Sequence, residues 1–312
     1  VQTHIFTNST INTPKGILVI AALLLFFGCS PAPDDATQAD KSSGQSIRIS
    51  FQPYFQGKAV QCGQTLSMHN EEWQISELAM FLHQFSLNNL YPVILDDNDW
   101  QSQQLVLMRS PSNCQQLMSN LSLSGVIDMG DLPVGSEKSN GGLLNEVLNA
   151  DASKPFTLSF KIGVPFELNH QNPLLQASPL NDSSMFWAWR NGHKFIRWDM
   201  QSKQGNSWSF HLGSVGCESA AMVRAPKQAC AQPNVIPVEV VLPPSSIQAI
   251  GFRSSDHSDL NDDQIHISLK LHLDKVLHQT IPSQESTCMF SGIDNDSCKG
   301  LVNNLYKEDV FE

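Results

Sequence analysis

The chain has 312 residues and a formal net charge of −11, from 19 Lys and Arg against 30 Asp and Glu. The basic residues cluster nowhere, so the counter-charged patch that a nucleic acid or an anionic membrane surface needs is missing. With 41 % of its residues hydrophobic, the chain can build a sizeable core in one large domain or two small ones.

The first element is a leader. Lys15 precedes the apolar run GILVIAALLLFF, which ends at Gly28 and Cys29. That run is too short to span a bilayer as a helix but has the charged start and apolar middle of a secretory signal. The small residue before Cys29 resembles a bacterial lipobox, although Phe26 stands where leucine is usual. The expected division is a lipoprotein-type signal over residues 1–28, with Cys29 lipidated, and a tether over residues 29–46. The tether, rich in Ser, Pro, Asp and Ala without hydrophobic period, has a disordered composition. With no second linker and no repeat, residues 47–312 are expected to form a single domain.

Alternation of apolar and polar residues predicts strands at Ile47–Phe51, Thr157–Val164, Ile196–Met200, Trp208–Leu212, Val235–Leu242 and Ile265–Leu273. In the last strand His266 and His272 fall on the face opposite the apolar set and are expected to meet solvent. The run LAMFLHQFSL (78–87) is apolar on both faces, so it reads as a central strand or a buried helical segment, and His83 within it needs a partner. Short helices are expected at GGLLNEVLNA (141–150) and VNNLYKEDVF (302–311). Taken together, the chain reads as mainly β: a disulfide-stapled antiparallel β-sandwich or barrel with few short helices.

Setting Cys29 aside from the seven cysteines leaves Cys62, Cys114, Cys217, Cys230, Cys288 and Cys298. An even number suits disulfides in an oxidising compartment. Cys217 with Cys230 and Cys288 with Cys298 would each close a short loop, leaving Cys62 with Cys114. The rival reading, thiolate metal ligation, lacks the usual zinc spacing. No C-x-x-C-H motif is present, so the chain attaches no c-type haem.

The stretch Phe166–Cys217 gathers Trp187, Trp189, Trp198, His170, His193, His211 and Cys217. It contains no G-x-S-x-G elbow and no H-E-x-x-H, and no Gly-rich turn that would cradle phosphate. Its histidines offer the nitrogen donor that suits copper, zinc and iron. An unmodified indole cannot join them, because its nitrogen is a donor only; a tryptophan-based metal site requires prior oxidation of the ring. Acidic runs at Asp96–Asp99, Asp259–Asp263 and Asp294–Asp296 offer oxygen ligands for calcium. The competing reading of the block is a structural or carbohydrate-binding surface lipoprotein whose exposed tryptophans stack on sugars.

The motifs FELNHQNP, SPLN, SMFWAW, KFIRWD and FHLGSVGC, with CGQTL at Cys62 and the closing CMFSGIDNDSC, resemble the MbnP family of secreted copper-binding proteins, the four-Cys members of the metallo-mystery pair. The similarity runs from about Ile47 to Leu305. It implies that the chain is not an enzyme. It implies instead an exported protein that binds one copper ion after a partner dihaem enzyme of the MauG and cytochrome c peroxidase type oxidises a tryptophan to kynurenine. Kynurenine carries an aryl amine, the lone pair that indole lacks. Trp187 and Trp189 are the leading candidates for oxidation and for the resulting ligand, with Trp198 next. The implied imidazole ligands are His170 and His211, with His83 third, while Arg197 and Asp199 are expected to hold structure. The implied location is the periplasm or the outer membrane, with contact to the membrane through the lipid anchor only.

Overall fold

The computed structural model describes residues 45–61, 63–88, 91–95, 105–109, 121–127, 155–243, 247–251, 263–289 and 295–312. Cys62, Cys114, the 141–150 segment, Asp96–Asp99 and most of the other two acidic runs lie outside them, as does Cys29. The strands are β1 (Gln45–Phe55), β2 (Lys58–Ala59), β3 (Thr65–Met68), β4 (Glu71–Leu87), β5 (Tyr91–Leu95), β6 (Val106–Arg109), β7 (Leu121–Ile127) and β8 (Phe156–Ile162). They continue with β9 (Phe186–Ala188), β10 (Gly192–His193), β11 (Ile196–Ser202), β12 (Ser207–Leu212), β13 (Ile236–Leu242), β14 (Ile247–Gly251), β15 (Asp263–His272) and β16 (Cys288–Met289).

All but β9 and β10 join one curled sheet, whose main path runs β14-β15-β1-β7-β5-β4-β11-β12-β16. Most pairings are antiparallel; β1 with β15 and β12 with β16 are parallel. The curl brings inward faces together: Phe160 on β8 meets Phe51 of β1 edge-on at 5.8 Å and stacks on Phe85 of β4 at 5.4 Å. The alternation seen in sequence becomes burial, as in β13, where Ile236, Val238, Val240 and Leu242 are buried and the residues between them are exposed. Each large apolar side chain buried this way contributes roughly 1.5–3 kcal/mol.

The strand β4 explains the two-sided apolar run. Its first half pairs with β3 and β11, its second with β5, β6 and β8. Leu78 through His83 are therefore buried without alternation, and the run is a strand, not a helix. The pairing with β8 shifts between His83 and Ser86, where Gln84 takes a positive φ of 55°.

Three expectations need correction. Among the described residues His83 has no hydrogen-bond partner at either ring nitrogen; it sits in the part of β4 that is buried without alternation. His272 is buried and bonds Glu312 at 3.0 Å, and His266 is half-buried and bonds the Ser50 hydroxyl at 3.0 Å; neither simply faces solvent, since β1 and the C-terminal residues cover that side. The last helix spans Asp296–Leu305 and not 302–311, started by Asn295, whose side chain accepts from the Ser297 N–H at 3.0 Å. Beyond it Val310 and Phe311 turn into the core, and Phe311 bridges Leu271.

Among the described residues two disulfides staple the fold. Cys288–Cys298 ties β16 to the last helix, and Cys217–Cys230 closes the loop after β12. Among the described residues no helix is long and apolar enough to cross a membrane.

Candidate metal centre

The segment between β8 and β11 makes a folded loop on the edge of the β11–β12 pair. It opens with a helical turn at Phe166–Asn169, of which His170 is the C-cap. Two 3₁₀ turns follow, Pro173–Leu175 and Ser183–Met185, started by the side chains of Asn172 and Asp182. Asn169 is the fastener: its side-chain oxygen accepts from the His193 backbone N–H at 2.7 Å, and its backbone oxygen lies 2.8 Å from His193 Nδ1. Both residues are fully buried. Gly192 takes φ +76° where a Cβ would come within 2.4 Å of Asn169 Oδ1, so only glycine lets the two ends of the loop approach this closely.

The three predicted imidazoles do not gather. His83, His170 and His211 form no common cluster of donor atoms among the described residues. His83 is enclosed in β4, and burial, then the charge of Lys161 opposite, lowers its pKa to about 4. His170 instead lies beside Cys217 and Cys230, with the three donor atoms within 4.8 Å of one another, close enough to hold a metal. In the disulfide-bonded state the two sulfurs are not thiolates, and the imidazole is the one good donor there.

His211 is differently equipped. In the β11–β12 register it lies opposite Arg197, and Arg197, Asp199 and His211 share a face. Asp199 accepts from His211 Nε2 at 2.7 Å and from Arg197 Nε at 2.7 Å. Burial alone would raise the Asp199 carboxyl, but the hydrogen bonds from His211 and Ser209, the charge of His211 and the bond from Arg197 outweigh it and hold it far below the usual carboxylate range. Asp199 is therefore ionised and holds the Nε2 proton of His211. Nδ1 is buried and, among the described residues, without a hydrogen-bond partner; in the singly protonated ring it carries the lone pair. A carboxylate on one imidazole nitrogen and a vacant lone pair on the other is the arrangement of a metal-ligating histidine.

Beside the His211 ring stands Trp187. Its ring meets His211 edge-on at 6.1 Å between centroids, and Lys194 Nζ lies over it at 5.6 Å. Trp187 is 38 % exposed. Trp189 is half-buried and its carbonyl faces His170. Trp198 is 2 % exposed and packs edge-on against Trp208 at 5.3 Å. Of the three predicted tryptophans, Trp187 is the most exposed, and its ring packs on His211.

The family relationship is decided by comparison. The MbnP family model matches residues 44–290. The chain belongs to the MbnP family. Its fold is also that of MbnP from Methylosinus trichosporium, a solved structure matched with a TM-score of 0.58 over 86 % of this chain and 98 % of that one, at 17 % identity. No curated protein matches the chain. For this MbnP-family protein the disulfides fit an oxidising, exported setting.

Sequence reasoning missed the part played by Asp199, Asn169 and Lys194. The turn KQGN between β11 and β12 held the signal for Asp199: a tight hairpin turn there sets the register that puts Asp199 and His211 on one face.

Proposed function

We propose that this chain is an exported copper-binding protein whose metal centre is built on His211 and is completed when Trp187 is oxidised to kynurenine. The observation that carries the reading is the buried, unpartnered Nδ1 of His211, backed by Asp199 and set beside an accessible tryptophan. Membership of the MbnP family makes copper the expected ion, and imidazole with an aryl amine suits it. Bound copper would supply the capacity to be held and handed over. The chain's own residues set its environment: Asp199 orients His211, Arg197 holds Asp199, and the Asn169–His193 fastener keeps the Trp187 loop in place.

In this reading the chain is a substrate of a dihaem MauG or cytochrome c peroxidase-like partner and not an enzyme, since it attaches no haem of its own. The exposure of Trp187 supports attack from outside, whereas Trp198 lies beyond the reach of an external protein. Cys29 carries the lipid that tethers the domain at the periplasmic or outer membrane, and the function is copper acquisition or handling.

The test is metal analysis of the protein co-expressed with a dihaem partner. Wild type is expected to carry about one copper per chain, and His211→Ala and Trp187→Phe to carry little, with unchanged far-UV circular dichroism. Protein with neither copper nor a kynurenine mass change after co-expression contradicts the reading.

A further inference from the structure

His170 has both ring nitrogens assigned by its surroundings. Nδ1 lies 3.1 Å from the Trp189 carbonyl oxygen, which can only accept, so Nδ1 carries the proton. Nε2 is then the lone-pair nitrogen, and it faces the Asn169 side-chain amide at 3.2 Å and the Cys230 sulfur at 3.6 Å. The Asn169 amide is oriented independently, because its oxygen is committed to the His193 N–H. A buried imidazole lone pair thus points at a disulfide.

We propose that this corner is a redox-gated site for a thiophilic ion of the Cu(I) or Zn(II) class: closed while Cys217 and Cys230 are bonded, and opened by their reduction to a ligand set of two thiolates and His170 Nε2. The dimensions fit. A tetrahedral ion with nitrogen at about 2.0–2.1 Å and sulfur at about 2.3 Å holds the two donors about 3.6 Å apart, and Cys230 Sγ already stands 3.6 Å from Nε2. Cys217 Sγ, bonded to Cys230 in the closed state, is the donor that has to move, to about 3.8 Å from its partner sulfur on the same tetrahedral geometry. The Trp189 carbonyl on Nδ1–H is the outer bond that orients a ligating imidazole. When Nε2 turns to an ion, the Asn169 amide keeps a second acceptor, the Ser214 hydroxyl at 3.1 Å.

Access also distinguishes this disulfide. Cys217 is half-buried, so a reductant can reach it, whereas Cys288 and Cys298 are both buried. The step balances with an external dithiol: its two thiols become a disulfide, and two electrons and two protons pass to Cys217 and Cys230. The incoming ion then displaces the two thiol protons and keeps its oxidation state. The site requires no tryptophan oxidation and stands apart from the His211 centre.

The experiment uses the full chain, reduced anaerobically with a phosphine that is then removed, and titrated with Co(II). Thiolate-to-cobalt charge-transfer absorption and bound cobalt per chain are read. Reduced protein is expected to take up one Co(II) with charge-transfer bands, and oxidised protein to show none. Reduced Cys217→Ser/Cys230→Ser protein is likewise expected to show no bands. His170→Ala and His170→Gln, the latter able to keep a hydrogen bond to Trp189, are expected to weaken binding by roughly tenfold or more. Equal Co(II) uptake by reduced and oxidised protein overturns the proposal. So do unchanged affinity in both His170 variants, bands that persist in the double cysteine variant, and loss of the β-sheet circular dichroism on reduction.

Discussion

His83 places an imidazole with neither nitrogen hydrogen-bonded in the middle of the sheet, where a neutral ring is tolerated and a charged one is not. Its pKa is lowered to about 4, first by burial and then by Lys161. The unfolded chain binds this proton near pH 6.5 and the folded chain near pH 4, so stability is full above pH 6.5 and falls as pH drops between those values. The loss is on the order of 3 kcal/mol. His83→Leu is expected to flatten this part of the stability curve, and to leave stability at pH 7 unchanged or higher because two unsatisfied buried nitrogens go with it. Urea melts of both proteins at pH 4.5 and pH 7 check this; an unchanged pH slope in the variant contradicts the assignment. Gly192 is the second residue where one atom decides the outcome. Gly192→Ala forces a Cβ into Asn169 at a positive φ and is expected to destabilise by about 2 kcal/mol or more, with a matching drop in midpoint. The sequence showed that His83 lay in a doubly apolar run; it could not show that the residue opposite would be Lys161, because that depends on which strands flank β4.

At the scale of elements, alternation found most strands because a half-buried strand writes its burial into every second residue. The strands β11 and β12 were foreseen, but not their pairing. Register was not foreseen, and register is what brings Asp199 to His211. The Trp187 loop was harder still: it is built from short turns fastened by Asn169 and His193 side chains, and such contacts have no period to read. The last helix shows the same limit. Its start is fixed by the Asn295 cap, while its expected continuation, Val310 and Phe311, is drawn away into the core. This helix depends on Cys288–Cys298 for its place beside β16. Replacing both by serine reopens a loop of sequence separation 10 and is expected to cost about 3 kcal/mol, seen as a lower thermal midpoint without loss of copper. Loss of copper from this variant while it stays folded contradicts the separation of staple from site.

At the scale of the whole molecule, a side-chain-fastened loop leading into β11 sets an accessible tryptophan beside the His211 imidazole of β12. Trp73, Trp198 and Trp208 are enclosed in the core, which leaves Trp187, 38 % exposed, and half-buried Trp189 as the tryptophans of that region with surface to offer. The family likeness was readable from ordered motifs along the chain, most of which form the loop and the two strands that build this site. The imidazoles do not gather, because His83 lies in β4 and His170 beside Cys217 and Cys230, away from the His211 corner. The most direct measurement is peptide mass mapping, with copper content, of the protein co-expressed with a dihaem peroxidase-like partner. The account predicts kynurenine at Trp187, tryptophan unchanged at Trp198, and copper that disappears in His211→Ala although Trp187 is still converted. Kynurenine at another tryptophan with Trp187 intact, or full copper retention in His211→Ala, would contradict it.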